Sequence, residues 1–367
     1  MKSLKCFLCL LLITAFLCPG ALAVTTNAQA SIAIDGATGK VFCEKNAHTR
    51  MGMASTTKIM TAIIALEKGN LNDIVTVDKR AVGVEGSSLY LEEGDRLSLK
   101  NLLFGMMLRS GNDAATAVAL HFAPSVEEFA VMMNDKAKEL GLKDTCFKNP
   151  HGLHEEGHYT TAYDLAQITR YGFTLEGFAD IVSTWSYNLN ENIHTKTVTN
   201  NNKLLNMYNG ADGVKTGYTP ETGRTLVGSA TRDGMRVITV TLNDGDDWKD
   251  HMAMFDYAFE NFKSINLCES GQGFGCVPVK GGKDSEVPLI AAEKLDALVF
   301  KDSKIQVEVT TREEINAPVE KGQSLGKVVF TENGAVLAEA ELVAGEGMEK
   351  EKKASMFWRI IKWIMRK

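Results

Sequence analysis

Cysteine is scarce where it would count. Of seven cysteines, Cys6, Cys9 and Cys18 fall in the first 23 residues, leaving Cys43, Cys146, Cys268 and Cys276 scattered over the rest. Four thiols so placed exclude a disulfide framework. Cys268 and Cys276 flank a Gly-rich stretch, where a local bridge and two free thiols are equally open. A basic excess is also missing. Lys and Arg number 40 against 46 Asp and Glu, a net charge of -6. Phosphate neutralisation needs a basic surface, so nucleic acid is excluded as a partner. No internal repeat is present. The apolar run Phe7–Leu17 is too short to span a bilayer comfortably. It follows Lys2 and Lys5 and precedes Ala21-Leu22-Ala23, so residues 1–23 read as an export signal.

What remains is an ordinary globular composition, 44% hydrophobic and 23% charged over 367 residues. That length exceeds one ordinary core and calls for two domains and tails. Ser31–Ile34 and Lys40–Phe42 flank Gly-rich turns and predict a hairpin. Helical periodicity runs over Ser55–Lys68, over Leu99–Ala119 with a break at Arg109–Asn112, over Val126–Leu140 and over Tyr163–Tyr171. Strand patterns follow at Leu226–Ala230 and Arg236–Leu242, then a helix at Trp248–Phe262. Helices between strands predict an α/β sandwich whose sheet joins both ends of the domain. After a Gly-rich stretch from Cys268 to Lys283, alternation at Lys304–Val309, a run at Lys327–Phe330 and a turn at Asn333-Gly334 predict a small all-β module. The expected organisation is residues 1–23 signal, 24–270 catalytic domain, 271–346 β-rich domain and 347–367 tail.

Three short patterns carry chemistry. Ser55-Thr56-Thr57-Lys58 is an S-x-x-K at a helix start, where the lysine returns to the serine's side one turn later. A buried lysine kept neutral there can take the serine proton. Ser324–Lys327 repeats the spacing beside a strand and lacks that setting. Ser110-Gly111-Asn112 is an S-x-N in the helix break, while Ser186–Asn188 and Ser264–Asn266 share only the letters. Lys215-Thr216-Gly217 is the one K-T-G. Its lysine supplies charge, Thr216 a hydroxyl for a carboxylate, and Gly217 room for a substrate backbone against an edge strand. The order S-x-x-K, S-x-N, K-T-G is that of penicillin-binding proteins and class A β-lactamases.

Longer segments sharpen this. Met53–Thr61, Gly105–Ala115, Asn149–Leu153, Thr160–Ala166 and Asp212–Thr219 resemble the serine-type D-alanyl-D-alanine carboxypeptidases, the low-molecular-weight penicillin-binding proteins. The resemblance implies their transpeptidase-like α/β fold and an acyl-enzyme on Ser55, with Lys58 as base and Ser110 as proton relay. It gives Asn112, Lys215, Thr216, Gly217 and Tyr218 to substrate binding, with the N–H groups of Ser55 and Tyr218 as oxyanion hole. It implies a peptidoglycan pentapeptide substrate, β-lactam inhibitors, and no metal or organic cofactor. Two departures stand out: Met53 where the family usually has proline, and Tyr218 where some members have histidine. Some members hold the substrate carboxylate with an arginine, for which Arg224 is the candidate here.

Met356–Lys367 places Phe357, Trp358, Ile360, Ile361, Ile364 and Met365 on one helical face and Arg359, Lys362 and Arg366 on the other. Such a basic amphipathic helix suits a membrane surface and would anchor the exported enzyme to the outer face of the cell membrane. Two rival enzymes remain. A class A β-lactamase needs a deacylating glutamate, for which Glu155 and Glu156 are available but in unlike surroundings. A zinc peptidase could use His151, His154 and His158, which sit in a Gly-rich loop rather than on a helix. A wall-binding protein without activity is opposed by the complete catalytic set.

Overall fold

The computed structural model of the chain describes residues 24–189, 193–351 and 365. The expected export signal lies outside them, as does the expected amphipathic tail helix apart from Met365. The chain opens with the expected hairpin, β1 (Ala30–Asp35) and β2 (Val41–Lys45). A 3-10 turn over Ala54–Thr57 leads into α1 (Lys58–Lys68), buried from Lys58 to Ala65. β3 (Ile74–Thr76) and β4 (Arg96–Ser98) pair across an irregular loop. The long apolar stretch then forms two helices, α2 (Leu99–Leu108) and α3 (Asn112–Phe122), broken where the sequence reads Arg-Ser-Gly. Ser98, Ser125 and Thr161 cap α2, α4 (Val126–Glu139) and α5 (Ala162–Gly172), each side chain accepting a backbone N–H from the first turn. α6 (Phe178–Ser183), the ribbon β5 (Ser186–Asn188) and β6 (Thr197–Thr199), and α7 (Leu204–Met207) complete the helical layer.

β7 (Ala211–Thr219), β8 (Gly223–Arg232) and β9 (Met235–Leu242) then join the opening hairpin in an antiparallel sheet of order β2-β1-β9-β8-β7. The sheet joins the two ends of the domain, as its pattern predicts. Successive side chains face opposite layers. Ile32, Val227, Ile238 and Val240 pack with Ile59 and Ile63 of α1, while Ala33, Leu226 and Val237 pack with Met254, Phe255 and Ala258 of α8 (Asp247–Asn261). Both faces are covered, so the strands read as near-continuous apolar runs. The two edge strands of the sheet are β2 and β7.

α8 runs directly into β10 (Phe262–Cys268) and the second domain. β11 (Gly273–Lys280), β12 (Glu286–Ala291), β13 (Leu295–Phe300), β14 (Ile305–Thr311), β15 (Ile315–Asn316), β16 (Ser324–Glu332) and β17 (Ala335–Ala344) follow. β10 pairs with β13, and the rest form a sheet of order β14-β16-β17-β12-β11-β15. Asn333 and Gly334 turn β16 into β17 with φ of 51° and 84°, the pair of positive angles that Asn-Gly accommodates. The repeated S-x-x-K lies in β16, where Lys327 Nζ donates to Glu339 at 2.7 Å and has no part in the chemistry. Cys268 is a buried free thiol and Cys276 an exposed one, so the local bridge is not formed.

Phe262 is the joint. Its ring sits 4.9 Å from that of Phe42 and 4.4 Å from that of Phe300, and it is 4% exposed. Truncating it leaves a cavity shared by both domains. Phe262→Ala should lower the unfolding free energy by about 3 kcal/mol, read as a lower urea midpoint.

Candidate active site

Ser55 stands in the 3-10 turn directly after Ala54, whose φ of 45° lies in the left-handed region that costs an L-residue about 1–3 kcal/mol. Two glycines hold the turn there. A Cβ on Gly152 would meet Ala54 O at 1.9 Å, and one on Gly217 would meet Ser55 N at 2.9 Å. Lys58, one helical turn on, is wholly buried. Its Nζ lies 3.0 Å from Ser55 Oγ and donates to Asn112 Oδ1 and to the His151 carbonyl, each at 2.6 Å. Burial first, and the neighbouring Lys215 second, push the ammonium well below its ordinary pKa, against a smaller opposing pull from Asp113. A neutral amine has two N–H groups and one lone pair. Asn112 Oδ1 and the His151 carbonyl only accept, so they take both N–H groups. The lone pair is left facing the Ser55 hydroxyl.

The helix break supplies the opposite wall. Ser110 sits there at φ 68°, buried. Asn112 Nδ2 donates to Glu85 O at 2.5 Å, which fixes its Oδ1 toward Lys58. Asp113, buried at the start of α3, accepts from Ser88 Oγ at 2.6 Å and from the Leu89 and Leu91 N–H groups. It moors residues 85–91 over the cleft. Sequence reasoning missed this loop, which carries no motif of its own.

The third wall is the edge strand β7. Lys215 is buried there and donates to Thr216 O at 2.8 Å, and burial lowers its pKa to about 7. Ser55, Ser110, Thr216, Gly217 and Tyr218 line one cavity of about 310 Å³. Thus the three motifs converge. A larger groove of about 630 Å³ lies on the second domain, away from this chemistry, so size does not locate the site. Arg224, opposite Tyr218 on β8, lines the same cavity. Asp247 holds its Nε at 3.1 Å and also accepts from Nη2, and Trp248 lies beneath, 5.9 Å away.

Residues 19–246 match the family model described as D-alanyl-D-alanine carboxypeptidase. The chain belongs to this family. Residues 262–350 match a second model, Penicillin-binding protein 5, C-terminal domain. The chain is similar to the D-alanyl-D-alanine carboxypeptidase DacF of Bacillus subtilis (strain 168), 39% identical over 337 residues, 88% of this chain and 86% of that protein. It is 32% identical to DacC of Escherichia coli (strain K12) over 365 residues, 94% and 89% of the two chains. The solved structure of penicillin binding protein 5 from Haemophilus influenzae matches with a TM-score of 0.78 at 29% identity, covering 90% of this chain and 100% of that one.

Within this carboxypeptidase family fold, the histidines are structural. Lys148 N–H donates to His158 Nδ1 at 3.0 Å, so the ring's proton is on Nε2, which donates to Thr57 Oγ1 at 2.8 Å. Thr57 in turn donates to Ala54 O at 2.8 Å. Both ring nitrogens brace the turn that carries Ser55, and burial takes the pKa down to about 4. His151 Nδ1 accepts from Leu153 N–H, and His154 is exposed. The zinc-like spacing therefore serves loop closure. Glu155 is bonded to Asn149, and neither it nor Glu156 lines the cavity of Ser55. Among the described residues that line this cavity the one carboxylate is Asp247, and it is paired with Arg224.

Lys215 makes stability depend on pH. Below about pH 7 it is protonated both folded and unfolded. Between about 7 and 10.5 the unfolded chain binds a proton that the folded chain lacks, so stability rises with pH. Lys215→Met should remove this contribution, giving a shallower rise in denaturant stability over that range than the parent shows.

Proposed function

We propose that the protein is a serine D-alanyl-D-alanine carboxypeptidase that removes the terminal D-alanine from peptidoglycan stem peptides through an acyl-enzyme on Ser55. The observation that carries this reading is the Lys58 amine, buried between two acceptors with its third direction on Ser55 Oγ. Family membership supports the substrate class. Ser55 Oγ attacks the penultimate D-Ala carbonyl as its proton passes to Lys58 Nζ. The backbone N–H groups of Ser55 and Tyr218 receive the oxyanion, each donor supplying about 2.7–4 kcal/mol. Collapse expels the terminal D-Ala, whose amine takes its proton through Ser110. Water then attacks the ester, giving its proton to Lys58, and Ser55 is restored. Asn112 holds the peptide amide and the lysine together, and Gly217 lets the peptide lie against β7.

The leaving residue ends in a carboxylate. Lys58 must be neutral to act, and Lys215 titrates near 7, so neither is a permanent cation. Arg224 is. Asp247 occupies its Nε and Nη2, and its Nη1 is left to meet the carboxylate beside Thr216. Penicillins, which mimic the dipeptide, acylate Ser55 and leave slowly for want of a deacylating glutamate, unlike in a class A β-lactamase. The export signal and amphipathic tail read from the sequence put this chemistry on the outer face of the cell membrane.

Mass spectrometry after penicillin labelling should place the adduct on the peptide containing Ser55, and an adduct elsewhere refutes the mechanism. Lys58→Ala should slow acylation by about 10²–10⁴-fold with the unfolding midpoint retained. Arg224→Ala should lower kcat/KM about 10–100-fold for peptides with a free terminal carboxylate, the loss of one charge-assisted hydrogen bond, and leave their C-terminal methyl esters unaffected. An equal loss on both substrates would remove Arg224 from the carboxylate.

A further inference from the structure

The six-stranded sheet of the second domain ends unevenly. One edge is β15, two residues long. The other is β14, paired to β16 over seven residues without a bulge and open along its outer side. Six of its seven residues are exposed. The register sets Val307 opposite Phe330 and Val309 opposite Val328, both buried in the domain core. Ile305, Val307 and Val309 therefore carry the core face out to the edge, where Val307 is 55% and Val309 39% exposed. Proline, lysine and bulges, the usual guards of a free edge, are absent from β14, and its single charge is Glu308.

We propose that β14 pairs antiparallel with β14 of a second copy about a two-fold axis through Val307. The strand reads alike in both directions about that residue, with apolar side chains at 305, 307 and 309 and polar ones at 306 and 308. The axis sets Val307 against the partner's Val307, Ile305 against the partner's Val309, and Gln306 against the partner's Glu308. Every exposed apolar side chain gains an apolar neighbour, and like charges are kept apart. Centring on Glu308 would oppose two carboxylates. Centring on Gln306 would set Lys304 against Glu308 but leave Val309 facing Ser303, outside the strand. The contact is isologous and closes at two copies. It joins two sheets into one and is independent of the chemistry at Ser55. The last described stretch of chain is an unsuited cover: Glu351 bonds to Gly281, between β11 and β12, with β12 three strands from β14, about 14 Å across the sheet.

Cross-linking tests the register in the full chain, held in mild detergent and carrying Cys276→Ser to remove the exposed thiol. Val307→Cys should form a disulfide-linked dimer on gentle oxidation, because directly opposed Cα atoms lie about 4.5–5.5 Å apart. Val309→Cys should not link to itself, its mate being four residues, about 13 Å, away. It should link when mixed with Ile305→Cys. By sedimentation the parent should dimerise with rising concentration and Val307→Lys stay monomeric, with penicillin acylation of Ser55 unchanged as the check on folding. A parent that stays monomeric with no Val307→Cys link overturns the proposal. So does a Val309→Cys link as strong as that of Val307→Cys, or a dimer that vanishes when residues 352–367 are deleted, since the tail would then be the occupant.

Discussion

A lysine amine with no access to water organises the catalytic domain. Burying Lys58 is unfavourable for its charged form and lowers its pKa, and the structure gives each of its polar directions a partner. Each partner has to be placed by something else. Asn112 is oriented through Glu85, and the loop bearing Glu85 is moored by Asp113. The His151 carbonyl is delivered by a loop that Gly152 lets pass against Ala54. Burial is the larger cause of the lowered Lys58 pKa, and Lys215, on a separate strand, lowers it further. The sheet, the helix break and the loop at 149–158 all converge on one nitrogen atom.

Much of this was legible in the sequence, because period and motif are local properties. The opening hairpin, the interrupted helix at Arg109–Asn112, the strands around Gly228 and the helix that ends at Asn261 follow from the spacing of apolar residues and from Gly and Asn at the turns. Ser55, Lys58, Ser110, Asn112, Lys215, Thr216, Gly217 and Tyr218 stand out in the sequence because each sits in or beside a short fixed pattern. The supports were not found. Asp113 lies within the family-like segment Gly105–Ala115, yet its role appears only when three donors from residues 88–91 arrive from a loop with no pattern. His158 is one of three closely spaced histidines, and spacing alone does not show that both its nitrogens already have partners.

The two domains differ in what their open edges face. In the catalytic domain the edge strand β7, with Gly217 and Tyr218 on it, borders the cavity that Ser55 lines. In the second domain the longer of the two edge strands is β14, with Val307 and Val309 exposed along it. The same geometrical fact, an unpaired row of peptide groups, is an opening for a peptide in one place and for another sheet in the other. Phe262, edge-on to Phe42 and stacked on Phe300, ties the two domains together with Lys40, whose Nζ donates to Leu298 O at 3.2 Å.

The crowding around Gly152 reaches beyond this molecule. Its φ of 89° and the 1.9 Å that would separate an added Cβ from Ala54 O leave no room for any other residue. A homologous chain could retain all three motifs letter for letter and still be inert, its serine swung out of reach by one methyl group that lies forty residues or more in sequence from Ser55, Lys58, Ser110, Asn112 and Lys215 and near them only in space. Inventories of genomes that score such enzymes by their reactive side chains alone would count that pseudoenzyme as active, and a silent glycine would be the more faithful marker.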